Sequence, residues 1–286
     1  MGTTRFAQSD LARLSYEIDG PPDAPPIVFL HATLGDRRTA GALQDALARD
    51  YRLILPDARG HGGSAALQSR TFTVTDMAND VWAVLEAEGL DRDDAPKLIA
   101  IGHGQGAVTA IELARRRPDR LAGMVLIEPD APALLDGVTD ATVASVRDEA
   151  RETYRALSDL AYRQQEQQAV DRYMDYRWPA GWREELNRPR QAALRRHAGA
   201  LSPTLDALDR FQILPDELGE LAVRTHVLTA GSSSDLVDTI GRGWAADVPG
   251  ASYRQIGKIT LATPYGSEMM FEVLRPLLAS MATTSP

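Results

Sequence analysis

Four nearly unbroken apolar runs occupy residues 26–31 (PIVFLH), 51–55 (YRLIL), 97–101 (KLIAI) and 121–127 (LAGMVLI). Amphipathic stretches separate them. Short continuous runs, unlike alternating ones, read as strands buried on both faces, which calls for a parallel sheet covered by helices on either side. The intervening segments supply those helices. Leu43, Ala46 and Leu47 share a face in 40–48. Met77, Val81, Val84 and Leu85 do so in 73–89, which Gly89 stops, and 105–116 forms a third, ended before Pro118. Residues 11–18 offer a leading strand that pairs antiparallel. The alternation lapses from 132 to 222. There, 143–170 is long, charged and helical in period, and 181–200 and 203–211 read as shorter helices. Strand signals resume at 225–229 and 253–256, and helical ones at 236–247 and 267–282. The pattern predicts an α/β core formed by 1–131 and 223–286 and interrupted by a helical segment, 132–222.

Composition removes several chemistries. The chain has no cysteine, which excludes disulfides, thiolate nucleophiles, Cys-ligated zinc and iron–sulfur clusters. It has only two lysines, Lys97 and Lys258, so a Schiff-base mechanism has two candidates. A net charge of −9 argues against nucleic acid as a partner, because phosphate binding needs clustered cations. No apolar run approaches the length of a membrane span, and the first ten residues lack the basic start and apolar stretch of a secretory signal. A cytoplasmic protein without metal or cofactor is expected; a homodimer stays open.

Three segments carry chemistry in their spacing. Residues 29–33 read FLHAT, 57–64 read DARGHGGS and 102–106 read GHGQG, the last following a strand and opening a helix. In this order they resemble the α/β-hydrolase superfamily, and the resemblance covers nearly the whole chain. It implies a mostly parallel central sheet flanked by helices, with 132–222 as a helical cap. The first segment matches the oxyanion loop, the second the D-x-R-G-H-G-x-S stretch, and the third the nucleophile elbow G-x-S-x-G. The elbow departs from the pattern: Gly104 stands where the serine is expected, and has no side chain. The family's histidine base falls at Thr260, and no histidine follows His226. Asp235 lies near the usual acid loop, and Glu128 at the alternative acid position.

A Ser-His-Asp acyl-transfer cycle needs a nucleophile and a base within hydrogen-bond reach, and neither is present where the resemblance places it. What remains is a pocket able to orient a substrate and polarise a carbonyl. The backbone N–H of Gln105, at a helix N-terminus, and one at Ala32 or Thr33 would hold an oxyanion, with His103, Gly104 and Thr260 around it. His31, Asp235, Glu128 and Lys258 are the candidates for moving a proton. His31 ends a strand at the pocket mouth, and Lys258 lies two residues from the position of the lost base. Tyr173, Tyr176 and Trp178 are the candidate walls for an apolar substrate. Arg59, His61 and His226 read as structural, and Arg195, Arg196 and His197 as a solvated helix face. The reading is a non-hydrolytic enzyme of cyclase, lyase or isomerase type acting on an apolar natural-product-like substrate. The alternatives are a ligand-binding pseudoenzyme and a hydrolase whose water is activated by a carboxylate.

Overall fold

The computed structural model describes residues 3–10, 12–64, 71–178, 181–213, 217, 219–231, 233–257 and 268–283. Eight strands form one sheet in the order β1-β2-β4-β3-β5-β6-β7-β8. They are β1 (Thr3–Gln8), β2 (Arg13–Asp19), β3 (Pro26–Leu30), β4 (Arg52–Pro56), β5 (Leu98–His103), β6 (Leu121–Ile127), β7 (Thr225–Ala230) and β8 (Ser252–Ile256). The β1·β2 and β2·β4 pairs are antiparallel, and the pairs from β4 through β8 are parallel. β3 and β5 are buried at every residue, which explains their continuous apolar character.

Two cores follow from the strand period of two. Val28 and Leu30 of β3 face one, Ile27 and Phe29 the other. The first is covered by α2 (Val74–Ala87), α3 (Gln105–Arg116) and α9 (Asp235–Asp247), through Met77, Val108 and Leu236 among others. The second is covered by α1 (Gly41–Leu47) and α10 (Glu268–Ala282), through Leu43, Leu47, Leu274 and Leu278. α2 starts on a capping box, in which Thr73 and Asp76 satisfy each other's backbone N–H.

Between β6 and β7 the chain is helical: α4 (Ala141–Tyr162), α5 (Glu166–Arg177), α6 (Trp182–Glu185), α7 (Arg188–Arg196) and α8 (Ala198–Asp209). Their buried residues, including Tyr154, Leu157, Val170, Leu201 and Leu205, continue the first core.

Local details differ from the sequence reading. The helical stretch 143–170 is two helices, because Gln164 adopts a left-handed φ of 64° and reverses the chain between α4 and α5. α8 runs through Pro203 and begins before it. β1 carries no apolar run: five of its six residues are exposed at the sheet edge. Among the described residues no helix is long and apolar enough to cross a membrane.

Candidate active site

The C-terminal ends of the parallel strands gather the residues of interest. At the end of β5 the chain turns sharply into α3. Gly102 and Gly106 make that turn possible, since a Cβ on Gly102 would meet the backbone of Gly106 and one on Gly106 the carbonyl of Leu30. Gly104 sits between them at φ 56°, ψ −119°, as the residue before the first turn of α3. A Cβ there would lie 3.4 Å from Ala32 Cβ and 3.9 Å from the Thr33 nitrogen. Ala32, Thr33, Gly104 and Gln105 therefore share one small space. Among the described residues, neither the Thr33 nor the Gln105 backbone N–H donates to a protein acceptor. The Gln105 N–H is the first of α3, where the helix dipole favours negative charge.

His31 does not open onto this space as an acid or base. Its Nε2 is 2.9 Å from the Ala58 N–H, so Nε2 accepts; Nδ1 therefore carries the proton and donates to the Ala32 carbonyl at 2.9 Å. Both nitrogens are committed to the backbone, so the ring braces two loops. Burial lowers its pKa, despite the nearby Asp57 and the Ala32 carbonyl. His61 is lowered well below the usual value by burial, with the His31 and His197 rings adding to it.

The sign of this linkage gives an expected acid lability. Groups held neutral below their unfolded pKa contribute stability that is complete above about pH 6.5 and declines as pH falls below it. The thermal midpoint should drop between pH 7 and 5, and a His61→Leu variant, less stable at pH 7.5, should show a shallower drop. An unchanged slope would show that His61 does not take part.

Glu128 follows β6 in a left-handed conformation, φ 46°, unusual for a residue with a side chain. Its Oε1 accepts from the Ser233 hydroxyl and from the Ala230 N–H at 3.3 Å. Its Oε2 faces His103 Nε2 at 3.5 Å and Arg177 Nη2 at 3.3 Å. Burial opposes its ionisation, but the His103 contact and the Arg177 charge outweigh that and hold the carboxyl at about 2. A carboxylate so engaged is a poor proton acceptor, which removes the role that the sequence suggested for it.

Arg177, at the end of α5, is the centre of a buried network. Besides Glu128 it lies 3.3 Å from Asp130 and donates to the Ser234 hydroxyl at 3.2 Å. Asp130 accepts from the Tyr154 and Tyr173 hydroxyls, at 2.5 and 3.0 Å. Burial, together with Asp130, raises the pKa of both phenols, so they remain donors. Tyr173 is thus a buried anchor rather than a free pocket wall. Tyr176 and Trp178 are half-buried against the same core.

Asp235 is exposed at the first turn of α9. Lys258 and Thr260 lie outside the described residues. Among the described residues, no group of three or more His, Asp or Glu is arranged to hold a metal ion. The sequence reading missed Asp130 and Arg177. Asp130 stands two residues after Glu128, and Arg177 lies inside the aromatic stretch 173–178, which was read for its rings alone. His197 is also buried, at 6% exposure, and not part of a solvated face.

Residues 25–213 match the family model of the alpha/beta hydrolase fold. The chain belongs to the α/β hydrolase fold family. A stretch of 119 residues is 34% identical to RutD of Variovorax paradoxus, provisionally named a carbamate hydrolase; it spans 40% of this chain and 41% of that relative. RutD of Rhizobium rhizogenes is 29% identical over 78% of this chain and 80% of its own. Among α/β hydrolase structures, a thermophilic esterase from Thermogutta terrifontis with malate bound superposes with a TM-score of 0.73 at 21% identity, over 98% and 99% of the two chains. An enol-lactonase from Burkholderia xenovorans gives 0.74 at 19%, over 98% and 100%.

Proposed function

We propose that this α/β hydrolase fold chain is an enzyme that activates a carbonyl without a covalent intermediate, in a reaction of cyclase, lyase or isomerase type on an apolar natural-product-like substrate. The observation that carries this is Gly104. It holds the left-handed elbow conformation, and the Thr33 and Gln105 N–H groups border the space where a nucleophile would project. A tetrahedral or enolate oxygen in that space would gain from both donors and from the α3 dipole, a term worth several kcal/mol in comparable sites, about 2.7–4 per donor. No acyl-enzyme can form at a glycine. The half-buried Tyr176 and Trp178, packed on the same core as the phenols on Asp130, supply apolar surface for a substrate.

Direct attack by water is the second reading, favoured by the hydrolase and esterase names among the relatives. Asp235, exposed at the start of α9, is then the carboxylate that would activate the water.

Intact-mass measurement after incubation with a fluorophosphonate, a reagent for activated serines, should show no adduct anywhere on the chain. A stoichiometric adduct would overturn the non-covalent reading. Products formed in ¹⁸O-water then separate the two readings. Retention of unlabelled product supports the non-hydrolytic one, and incorporation of one label supports direct hydrolysis.

A further inference from the structure

We infer that His197 is a positioning residue through which the helical segment between β6 and β7 sets the conformation of the oxyanion loop; this rests on the reading of Thr33 as an oxyanion donor.

His197 lies at the junction of α7 and α8, and its side chain leaves the helices to reach two core loops. Its Nε2 is 3.1 Å from the Gly62 N–H, and its Nδ1 is 2.9 Å from the Leu34 carbonyl. An N–H can only donate, so Nε2 accepts, and Nδ1 carries the proton that Leu34 receives. His31 uses the same tautomer between Ala58 and Ala32. The His61 ring lies between these two, 5.2 Å from each centroid, with Nδ1 2.9 Å from the Arg59 carbonyl. The three rings thus form a column that joins loop 31–36, loop 57–64 and the helical segment. His197 is the member contributed from outside the two loops.

Leu34 is the reason this matters for the site. It is a buried leucine at φ 64°, a conformation that a side chain with a Cβ keeps only where its surroundings impose it. Two contacts impose it from the backbone side: the Gly35 N–H bonded to the Ala32 carbonyl at 2.9 Å, and His197 on the Leu34 carbonyl. The first is local to the loop. The second fixes the Leu34–Gly35 peptide against the helical segment. Without it the loop can relax toward an ordinary φ, and the Thr33 N–H leaves its position beside Gly104. Seating of the helical segment and readiness of the donor are therefore one event.

The test uses the full chain with His197→Leu, which keeps bulk without nitrogens, and His197→Gln, whose amide can both donate and accept. Amide exchange at 32–35 and 58–63 and the affinity for phenylacetate, a carboxylate probe for the donor space, are measured for each. His197→Leu should raise exchange at Gly35 and Gly62 at least tenfold, leave α2 and α3 protected, and weaken phenylacetate about tenfold. His197→Gln should restore most of both. Unchanged exchange at Gly35 and Gly62, or an increase spread evenly over the chain, would overturn the positioning role. A local loss of protection with unchanged phenylacetate affinity would uphold the clamp on the loop and overturn Thr33 as a donor.

Discussion

Arg177→Ala should lower the stability of the protein by about 3–5 kcal/mol, the usual consequence of removing one partner from a buried ion pair. The reason is what remains. Glu128 and Asp130 are both buried, 6% and 0% exposed, and Arg177 is the cation placed between them. Alanine leaves two buried carboxylates without their guanidinium partner, and also removes the donor to Ser234. Thermal unfolding should show a drop of about 5–8 °C for a chain of this size. A triple variant, Arg177→Met with Glu128→Gln and Asp130→Asn, removes the charges and keeps most of the volume, so it should recover the larger part. The pH dependence supplies a second check. The Glu128 carboxyl is held at about 2, so its contribution is complete above about pH 4.5 and is lost as the pH falls toward 2. In Arg177→Ala the same protonation relieves an unpaired charge. The gap between variant and wild type should narrow over that interval. A drop below about 1 kcal/mol would show that water reaches the carboxylates and that the network is not a closed one.

Gln105→Pro should reduce turnover of an identified carbonyl substrate by about 10²–10³-fold, the effect of deleting one oxyanion donor. The substitution is unusually selective. Gln105 is the first residue of α3, where proline is well tolerated because its nitrogen needs no proton for the helix. Only the N–H aimed at the donor space is lost from the backbone. Gln105→Ala is the matched control. It retains the N–H and discards a side chain whose amide nitrogen and oxygen are both buried and, among the described residues, without a hydrogen-bond partner. That side chain borders a cavity of about 30 Å³ lined also by Leu30, His31 and Thr109, enough for one water. Gln105→Ala should therefore keep near-native turnover. Equal losses in the two variants would mean that the side chain, rather than the N–H, supports the reaction.

The parts of the molecule that were legible in the sequence are those whose signal is local. β3 and β5 are buried on both faces, so water touches neither side and their residues up to Gly102 form a continuous apolar run. Segments 29–33 and 102–106, which carry the family resemblance, are each only five residues long, and the structure places Ala32 and Thr33 beside Gly104. β1 was not legible because an exposed edge strand has no apolar pattern to read. The Arg177 network was not legible because its partners are 47 and 49 positions away along the chain, and a charge beside aromatic residues looks like surface. His197 was misread through its neighbours. Arg196 does face solvent, but the turn into α8 swings the next side chain inward. His31 and Glu128 illustrate a further gap. Their residue types suit acid–base work, and only the hydrogen bonds that fill their ring nitrogens and carboxylate oxygens reveal that this capacity is already spent.

The insertion between β6 and β7 delivers a positive charge into the sheet's carboxyl edge and a histidine into its loops. A chain spliced directly from β6 to β7 would keep every strand and most of the apolar interior, yet it would lose the phenols and guanidinium packed on Asp130 and the histidine bonded to the Leu34 carbonyl. The helical segment is thus no detachable accessory. A segment without a cation at the position of Arg177 would leave Glu128 and Asp130 without their guanidinium partner.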